Sequence, residues 1–432
     1  MLPFLRRCAL TVRSLSKAGR PPVTFVIGNE GGDMDSVVGA VFLSYLLAEL
    51  RHRSHSAVPR DFVPLLNFPI EDVPLRGDVA ALLEYGGIDY ELLASCHPGA
   101  SSSLNVIDLK AHFECAGQHC GDSVVLYDHN RLTLTQEFLH PHVAGVVDHH
   151  YDEGLYISSI SQQRDRVVAN EGGEMSWWQQ LFRSHPDGRV IAVVGSACTL
   201  VEVLYHGLAV RVPDPQLLLA PITMDTMNFN PTHKKTTSLD EVSRDRLLAL
   251  VAQEEHTFPP PSFDFLNSAK YDVRRLTVPQ TLRRDYKTFT MRSPHSAERH
   301  SHIGISSVLL LQDAVEELYG MDGWVAGVSE FRRSQGVDIL LVMHAGEHDG
   351  SFTRQLSAFC TTEWGTSIDR FAERGGSALG LRLRTVTVPT ADGWQLRSYS
   401  QADATMSRKQ LVPLLDRFLS EVSAAYAAEG HS

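Results

Sequence analysis

Four stretches of this 432-residue chain carry residue types that bind cations, each at the end of an apolar run. The first is Gly28-Asn-Glu-Gly-Gly-Asp-Met-Asp-Ser36, which presents Asn29, Asp33 and Asp35 after the run Val23–Ile27. The others are Asp128-His-Asn130, Asp148-His-His150, and Asp225 after Leu217-Leu-Leu-Ala-Pro-Ile-Thr-Met224. Carboxylate, imidazole and amide oxygen together suit Mg²⁺ or Mn²⁺ rather than a thiolate-bound metal. Asp33 and Asp35 are two apart; on a strand end both point to one side, while the glycines let the backbone curl around an ion. Two cations bridged by a carboxylate lower the pKa of a shared water and hold a phosphoryl oxygen against it for in-line displacement. Each motif alone also reads as a turn, a cap or a solvated strand end. Their joint occurrence favours one cleft.

Elements of the right kind stand before these motifs. Val23–Ile27, Val124–Tyr127, Val143–Val147 and Val190–Val194 are short unbroken apolar runs, the pattern of parallel strands buried on both faces. Phe62–Phe68 reads as another strand, Val79–Tyr85 as a helix, and Val37–Leu50 as a core helix with Ser36 as its cap. The fold class expected is α/β: an open, mostly parallel N-terminal sheet with ligands beyond the carboxyl ends of its strands. Gly195-Ser-Ala-Cys-Thr199 opens a helix through Tyr205, with capping by Ser196 or Thr199 expected ahead of an anion at its amides. The length exceeds a single core. We expect a basic arm at 1–22, the metal-binding domain at 23–236, a linker helix and Pro259-Pro-Pro261 junction at 237–261, and a smaller α/β domain at 262–432, with the active cleft between the two domains. In the second domain Ile303–Leu310 and Val337–His344 read as strands, Gln312–Tyr319 as a helix, and a terminal helix runs from Arg408 to about Ala427.

A net charge of −12 argues against a broad nucleic-acid surface. It leaves an anionic substrate open, because cations and a local set of Lys and Arg reverse the field within a cleft. The six cysteines, at 8, 96, 115, 120, 198 and 360, are scattered and point to a reducing compartment. His112, Cys115, His119 and Cys120 are too crowded for the paired spacing of a structural zinc site. Val37–Leu50 is too short and too polar to span a membrane. Arg6, Arg7, Arg13, Lys17 and Arg20, with no acidic residue before position 22, fit either a mitochondrial transit segment or an amphipathic helix packed on the domain. Cytoplasm is the expected location, with the mitochondrial matrix as the alternative.

Taken in order, Gly28–Ser36, Asp128-His-Asn130, Asp148-His-His150 and Asp225 resemble the four motifs of the DHH phosphoesterase superfamily. Arg284-Asp-Tyr-Lys287 and Ser407-Arg-Lys-Gln410 resemble its DHHA2 subgroup, which contains cytosolic exopolyphosphatases, prune-type proteins and manganese-dependent family II inorganic pyrophosphatases. The resemblance covers most of residues 23–432. It implies Asp33 and the Asn29 amide at one metal, Asp35, His149 and Asp225 at a second, and Asp128 bridging both. His150 would contact the reacting phosphate, Asp148 would buttress the histidines, and His129 and Asn130 would shape the turn. Lys287, Arg408 and Lys409 would be phosphate contacts, with Lys234, Lys235, Arg283 and His344 extending the basic surface. Cations at a helix start suit the dipole poorly, which favours an anionic partner for Arg408 and Lys409.

The cofactors implied are two divalent cations, Mg²⁺ or Mn²⁺, with Co²⁺ as a substitute. Asn29 stands where the pyrophosphatases have a histidine; a harder, weaker ligand there favours Mg²⁺. The activity implied is exopolyphosphatase, releasing orthophosphate from the ends of inorganic polyphosphate. Alternatives are a prune-like short-chain polyphosphatase or cyclic nucleotide phosphodiesterase, a manganese-dependent pyrophosphatase, a nuclease of the wider superfamily, and a relict scaffold. A monomer is expected, with no nucleic-acid or membrane partner.

Overall fold

Apolar runs of two to six residues give the first sheet its strands: β1 (Val23–Ile27), β2 (Asp61–Leu66), β3 (Ala94–Ser95), β4 (Ser123–Tyr127), β5 (Val143–Asp148) and β6 (Arg189–Ile191). The computed structural model describes residues 1–54, 58–96, 105–114, 121–171, 175–253, 258–296, 298–387, 390 and 392–428. It divides into two compact units, Met1–Asp272 and Val273–Ser432.

In the first unit the strand order is β3-β2-β1-β4-β5-β6 and every pairing is parallel. The order reverses between β1 and β4, and the crevice beyond their carboxyl ends is where such sheets bind ligands. Each residue of β1 and β4 is buried, because helices cover both faces. The helix Met34–Arg53 is apolar nearly all round for the same reason. Its N-cap is Asp33, which accepts from the Ser36 amide, and not Ser36, whose hydroxyl is engaged elsewhere. The run Val190–Val194 is a strand only to Ile191; the chain then turns out and Val193 is 86 % exposed.

The basic arm forms the helix Leu2–Arg13, which buries Phe4, Leu5, Cys8, Ala9 and Val12 on the first unit. Arg20 pairs with Asp122, which also receives His112 Nε2 at 2.8 Å and the Val23 amide at 2.7 Å. His112 is thus engaged by a carboxylate, whereas Cys115, His119 and Cys120 lie outside the described residues. The stretch expected to be a linker also belongs to this unit: the helix Ser238–Gln253 buries Asp240 completely, and the boundary falls after Asp272.

The second sheet contains β7 (Tyr286–Arg292), β8 (His300–Val308), β9 (Ile339–His348), β10 (Ser351–Thr361), β11 (Leu381–Val386) and β12 (Trp394–Gln401), in the order β11-β12-β10-β9-β8-β7. Among the described residues β8 and β9 pair in parallel and the other neighbours antiparallel. Alternation along β9 sends Ile339, Leu341 and Met343 to a core with Leu411 and Leu415, and Leu340 and Val342 to a second with Val328 and Phe331. His344 continues the second face and is fully buried, so it extends no basic surface. Among the described residues no helix is long and apolar enough to cross a membrane.

Candidate metal centre

The chain leaving β1 turns through Gly32, whose φ of 59° and contact with the Phe68 ring leave no room for a side chain. This turn aims Asn29 at Asp128, itself held at φ 58° just beyond β4. Asn29 Nδ2 donates to Asp128 Oδ2 at 2.7 Å, and Ser36 Oγ donates to the same oxygen at 2.6 Å. The Asn29 amide donates in turn to Ser36 Oγ at 2.9 Å, and Asn29 Oδ1 accepts from the Gly32 amide at 3.0 Å. In the structure Asn29 Nδ2 holds Asp128, while Oδ1 accepts one hydrogen bond from its own turn and keeps a second lone pair.

The other oxygen, Asp128 Oδ1, is buried without a hydrogen-bond donor. It faces His149 Nε2 at 3.3 Å and His150 Nδ1 at 3.8 Å. One donor atom from each of Asp128, His149 and His150 lies within 4.8 Å of the others. His149 Nδ1 donates to the Val194 carbonyl at 3.0 Å, which leaves Nε2 to face the carboxylate. His150 Nδ1 donates to Asp148 Oδ1 at 2.8 Å, an oxygen that also accepts the His149 and His150 amides. Asn130 Nδ2 takes the second Asp148 oxygen and binds the Tyr151 carbonyl, while His129 Nδ1 binds the Tyr127 carbonyl.

The electrostatics follow from this packing. Burial raises the Asp128 carboxyl to about 6, opposed by the His149 ring 3.3 Å away and reinforced by the fields of Asp35 and Asp33. Burial alone would lower His149; the Asp128 carboxylate beside it prevails and raises the ring to about 10. Burial would likewise raise Asp148, but the hydrogen bonds from His150 and Asn130 hold it below the usual carboxylate range.

Asp33 and Asp35 stand at the start of a helix, as its N-cap and in its first turn, and not on a strand end. Asp33 is exposed and caps the helix. Asp35 is 2 % exposed, and its two oxygens accept the Ala197 amide at 2.6 Å and the Cys198 amide at 2.8 Å, with Tyr127 Oη at 3.2 Å. The helix Ala197–Gly207 thus has an anion at its start, and that anion is Asp35 of the same chain; neither Ser196 nor Thr199 caps it through its side chain. Asp225 ends the helix Pro215–Asp225, with Oδ2 buried and without a donor. Burial, then the fields of Asp35 and Asp33, push its carboxyl well above the ordinary range, with the Ser196 hydroxyl countering part of the rise. Asp33, Asp35 and Asp225 are not in the tight set of three, but their charges bear on one another and on Asp128.

Buried carboxylate oxygens without donors are costly unless a proton or cation meets them. Asp128 Oδ1 and Asp225 Oδ2 are two such atoms, and Asp128 with the His149 and His150 nitrogens makes a mixed oxygen and nitrogen donor set that suits a divalent cation. Ser36 as a donor to Asp128 and the Val194 carbonyl as the partner of His149 carry no signal in the chain's residue pattern.

In the second unit Lys287 is exposed on β7, the edge strand, and Lys409 is exposed at the start of the helix Arg408–Ala428. Arg408 is not a solvated charge: it pairs with the Asp285 carboxylate and donates to the Asp285 carbonyl at 2.9 Å and the Ile305 carbonyl at 3.2 Å.

Residues 264–418 match the DHHA2 domain model. A Schizosaccharomyces pombe protein named "Putative exopolyphosphatase" is 25 % identical over 426 residues, 95 % of this chain and 94 % of that one. The human "Exopolyphosphatase PRUNE1" is 29 % identical over 409 residues, 92 % of this chain and 76 % of its own. The solved structure of a "putative family II inorganic pyrophosphatase" from Methanococcus jannaschii covers 92 % of this chain and 99 % of its own, at 17 % identity and a TM-score of 0.38. With its two sheets, its acidic crevice at the strand-order reversal and this match in the second unit, the chain carries a DHHA2 domain and resembles the prune-type proteins of the DHH phosphoesterase superfamily.

Proposed function

We propose that this chain is a divalent-cation-dependent phosphoanhydride hydrolase that releases orthophosphate from the ends of inorganic polyphosphate. The observation that carries the reading is the buried, donorless Asp128 Oδ1 facing two imidazoles at the reversal between β1 and β4. Relatives named exopolyphosphatase, aligned over more than nine-tenths of this chain, support the choice of substrate.

Asp33, Asp35, Asp128, His149 and Asp225 would hold the cations, Mg²⁺ or Mn²⁺, with Asn29 and Ser36 fixing the orientation of Asp128. Cations so held supply Lewis acidity toward a phosphoryl oxygen and a water. His150, anchored through Nδ1 on Asp148, keeps Nε2 for the reacting phosphate. Lys287, Arg408 and Lys409 are the proposed phosphate contacts of the second unit, where guanidinium and ammonium groups neutralise charge on the polyanion. Arg408 would do so while tied to Asp285.

The test is orthophosphate release from polyphosphates of defined length with Mg²⁺, Mn²⁺ or Co²⁺, with and without chelator, for the wild type and Asp128→Asn. Release that stops on chelation and falls at least a hundredfold in the variant is expected. A wild type inert with all three ions, or a variant as active as the wild type, would overturn the reading.

A further inference from the structure

The loop Val194–Cys198 touches two of the proposed ligands at once. Its Val194 carbonyl fixes the His149 ring through Nδ1, and its Ala197 and Cys198 amides clasp both oxygens of Asp35. What fixes the loop is a carboxylate from a distant helix. Asp240, fully buried in the helix Ser238–Gln253, accepts the Gly195 amide on both oxygens, at 3.1 and 2.9 Å. Thr199 Oγ1 donates to its Oδ1 at 2.6 Å, and the amide and hydroxyl of Thr237 both donate to its Oδ2 at 2.7 Å. The fit leaves no slack: a Cβ on Gly195 would stand 2.6 Å from the Lys235 carbonyl oxygen and 2.9 Å from Asp240 Oδ2.

We propose that Asp240 is a positioning residue for the metal centre, setting the orientation of the His149 ring and the direction of Asp35 through the single loop it anchors. This inference rests on the metal-binding reading above. A carboxylate with four donors around it has a strict geometry, and Gly195 is only one residue from Val194 and two from Ala197. Moving Gly195 therefore moves the carbonyl that holds the His149 ring by Nδ1 and turns Nε2 toward Asp128, together with the amides that hold Asp35. Groups that orient metal ligands in this way change affinity by 10–100-fold when removed.

The experiment compares the full-length wild type with Asp240→Asn in two ways. One is Mn²⁺ binding, followed by the resonance of free Mn²⁺. The other is the nitrogen-15 and proton signature of the His149 Nδ1–H in metal-free protein. We expect Mn²⁺ affinity to fall at least tenfold and the ring signal to shift or broaden. A folded Asp240→Asn that melts lower but keeps the wild-type ring signal and Mn²⁺ affinity assigns Asp240 to stability alone and overturns the inference. Should the variant not fold, Thr199→Val, which removes one donor to the same carboxylate, is expected to weaken Mn²⁺ binding severalfold, and unchanged binding overturns the inference equally. Wild type that fails to bind Mn²⁺ overturns the metal reading and the inference with it. Wild type that binds, matched by its variant, overturns only the inference.

Discussion

Asn29 Nδ2 donates to Asp128 Oδ2 across 2.7 Å, joining the turn after β1 to the turn after β4 at the point where the strand order reverses. This contact makes Asn29 part of the metal-free fold. Hydrogen bonds to charged groups contribute roughly 1.5–3 kcal/mol. Asn29→Ala is therefore expected to lower the stability of chelator-treated protein by about that amount in urea unfolding. Unchanged metal-free stability would reassign Asn29 to metal ligation alone.

Ser36 relays the same arrangement, accepting from the Asn29 amide and donating to Asp128. Ser36→Ala removes a buried hydroxyl from between two partners and is expected to cost roughly 1–3 kcal/mol. Orthophosphate release should fall with it, since Asp128 loses one of the donors that turn Oδ1 toward the histidines. A variant of wild-type stability and activity would show that Asn29 alone holds the carboxylate.

His344 gives the second unit a pH dependence. The ring is fully buried between the Leu310 carbonyl, bound by Nδ1 at 3.0 Å, and Ser357 Oγ at 3.0 Å from Nε2, and burial pushes its pKa down from 6.5 to about 4. The folded value lies below the unfolded one, so between these pH values the unfolded chain holds more protons than the folded chain. Stability is therefore full above about pH 6.5 and falls by roughly 3 kcal/mol as the pH drops toward 4. Denaturation of wild type and His344→Gln across this range should give a slope in the first that flattens in the second. Parallel curves would remove His344 as its source.

Arg408 and Lys409 are neighbours with different surroundings. Arg408 ties the start of its helix to Asp285 and Ile305, whereas Lys409 is exposed. Arg408→Ala is expected to lower stability by about 1–3 kcal/mol as well as activity. Lys409→Ala should leave the melt within about 0.5 kcal/mol of wild type and raise KM for polyphosphate. Equal melting losses in the two variants would contradict the assignment.

Much of this site was legible in the chain because its ligands follow unbroken apolar runs, and such runs announce buried parallel strands. Asp128 and Asp148 could be placed at strand ends on that ground alone. The helical setting of Asp33 and Asp35 could not, because it depends on a helix beginning at Met34 instead of a strand continuing. Asp240 was hidden for another reason. Its neighbours Lys234-Lys-Thr-Thr-Ser-Leu are polar and read as a linker, and only long-range hydrogen bonds reveal the carboxylate as buried. In the second unit the helix Met321–Gln335 escaped notice because Gly323 and Gly327 interrupt its pattern; a Cβ at Gly327 would stand 2.4 Å from Val278 Cβ, so close packing explains that glycine. His344 misled because histidine in a list of basic residues looks solvated, while strand alternation had already turned it inward.

The pairing of β1 with β4 sets Thr24 opposite Ser123. A nascent chain thus carries its first acidic turn for about a hundred residues of synthesis before the strand that flanks it exists. Val194, the partner of His149, and Asp240, the anchor of that loop, arrive later still. Ribosome-bound chains that stop short of Asp240 should consequently be poor at capturing cations even where the sheet has closed, which makes ion capture a late event in the birth of the molecule.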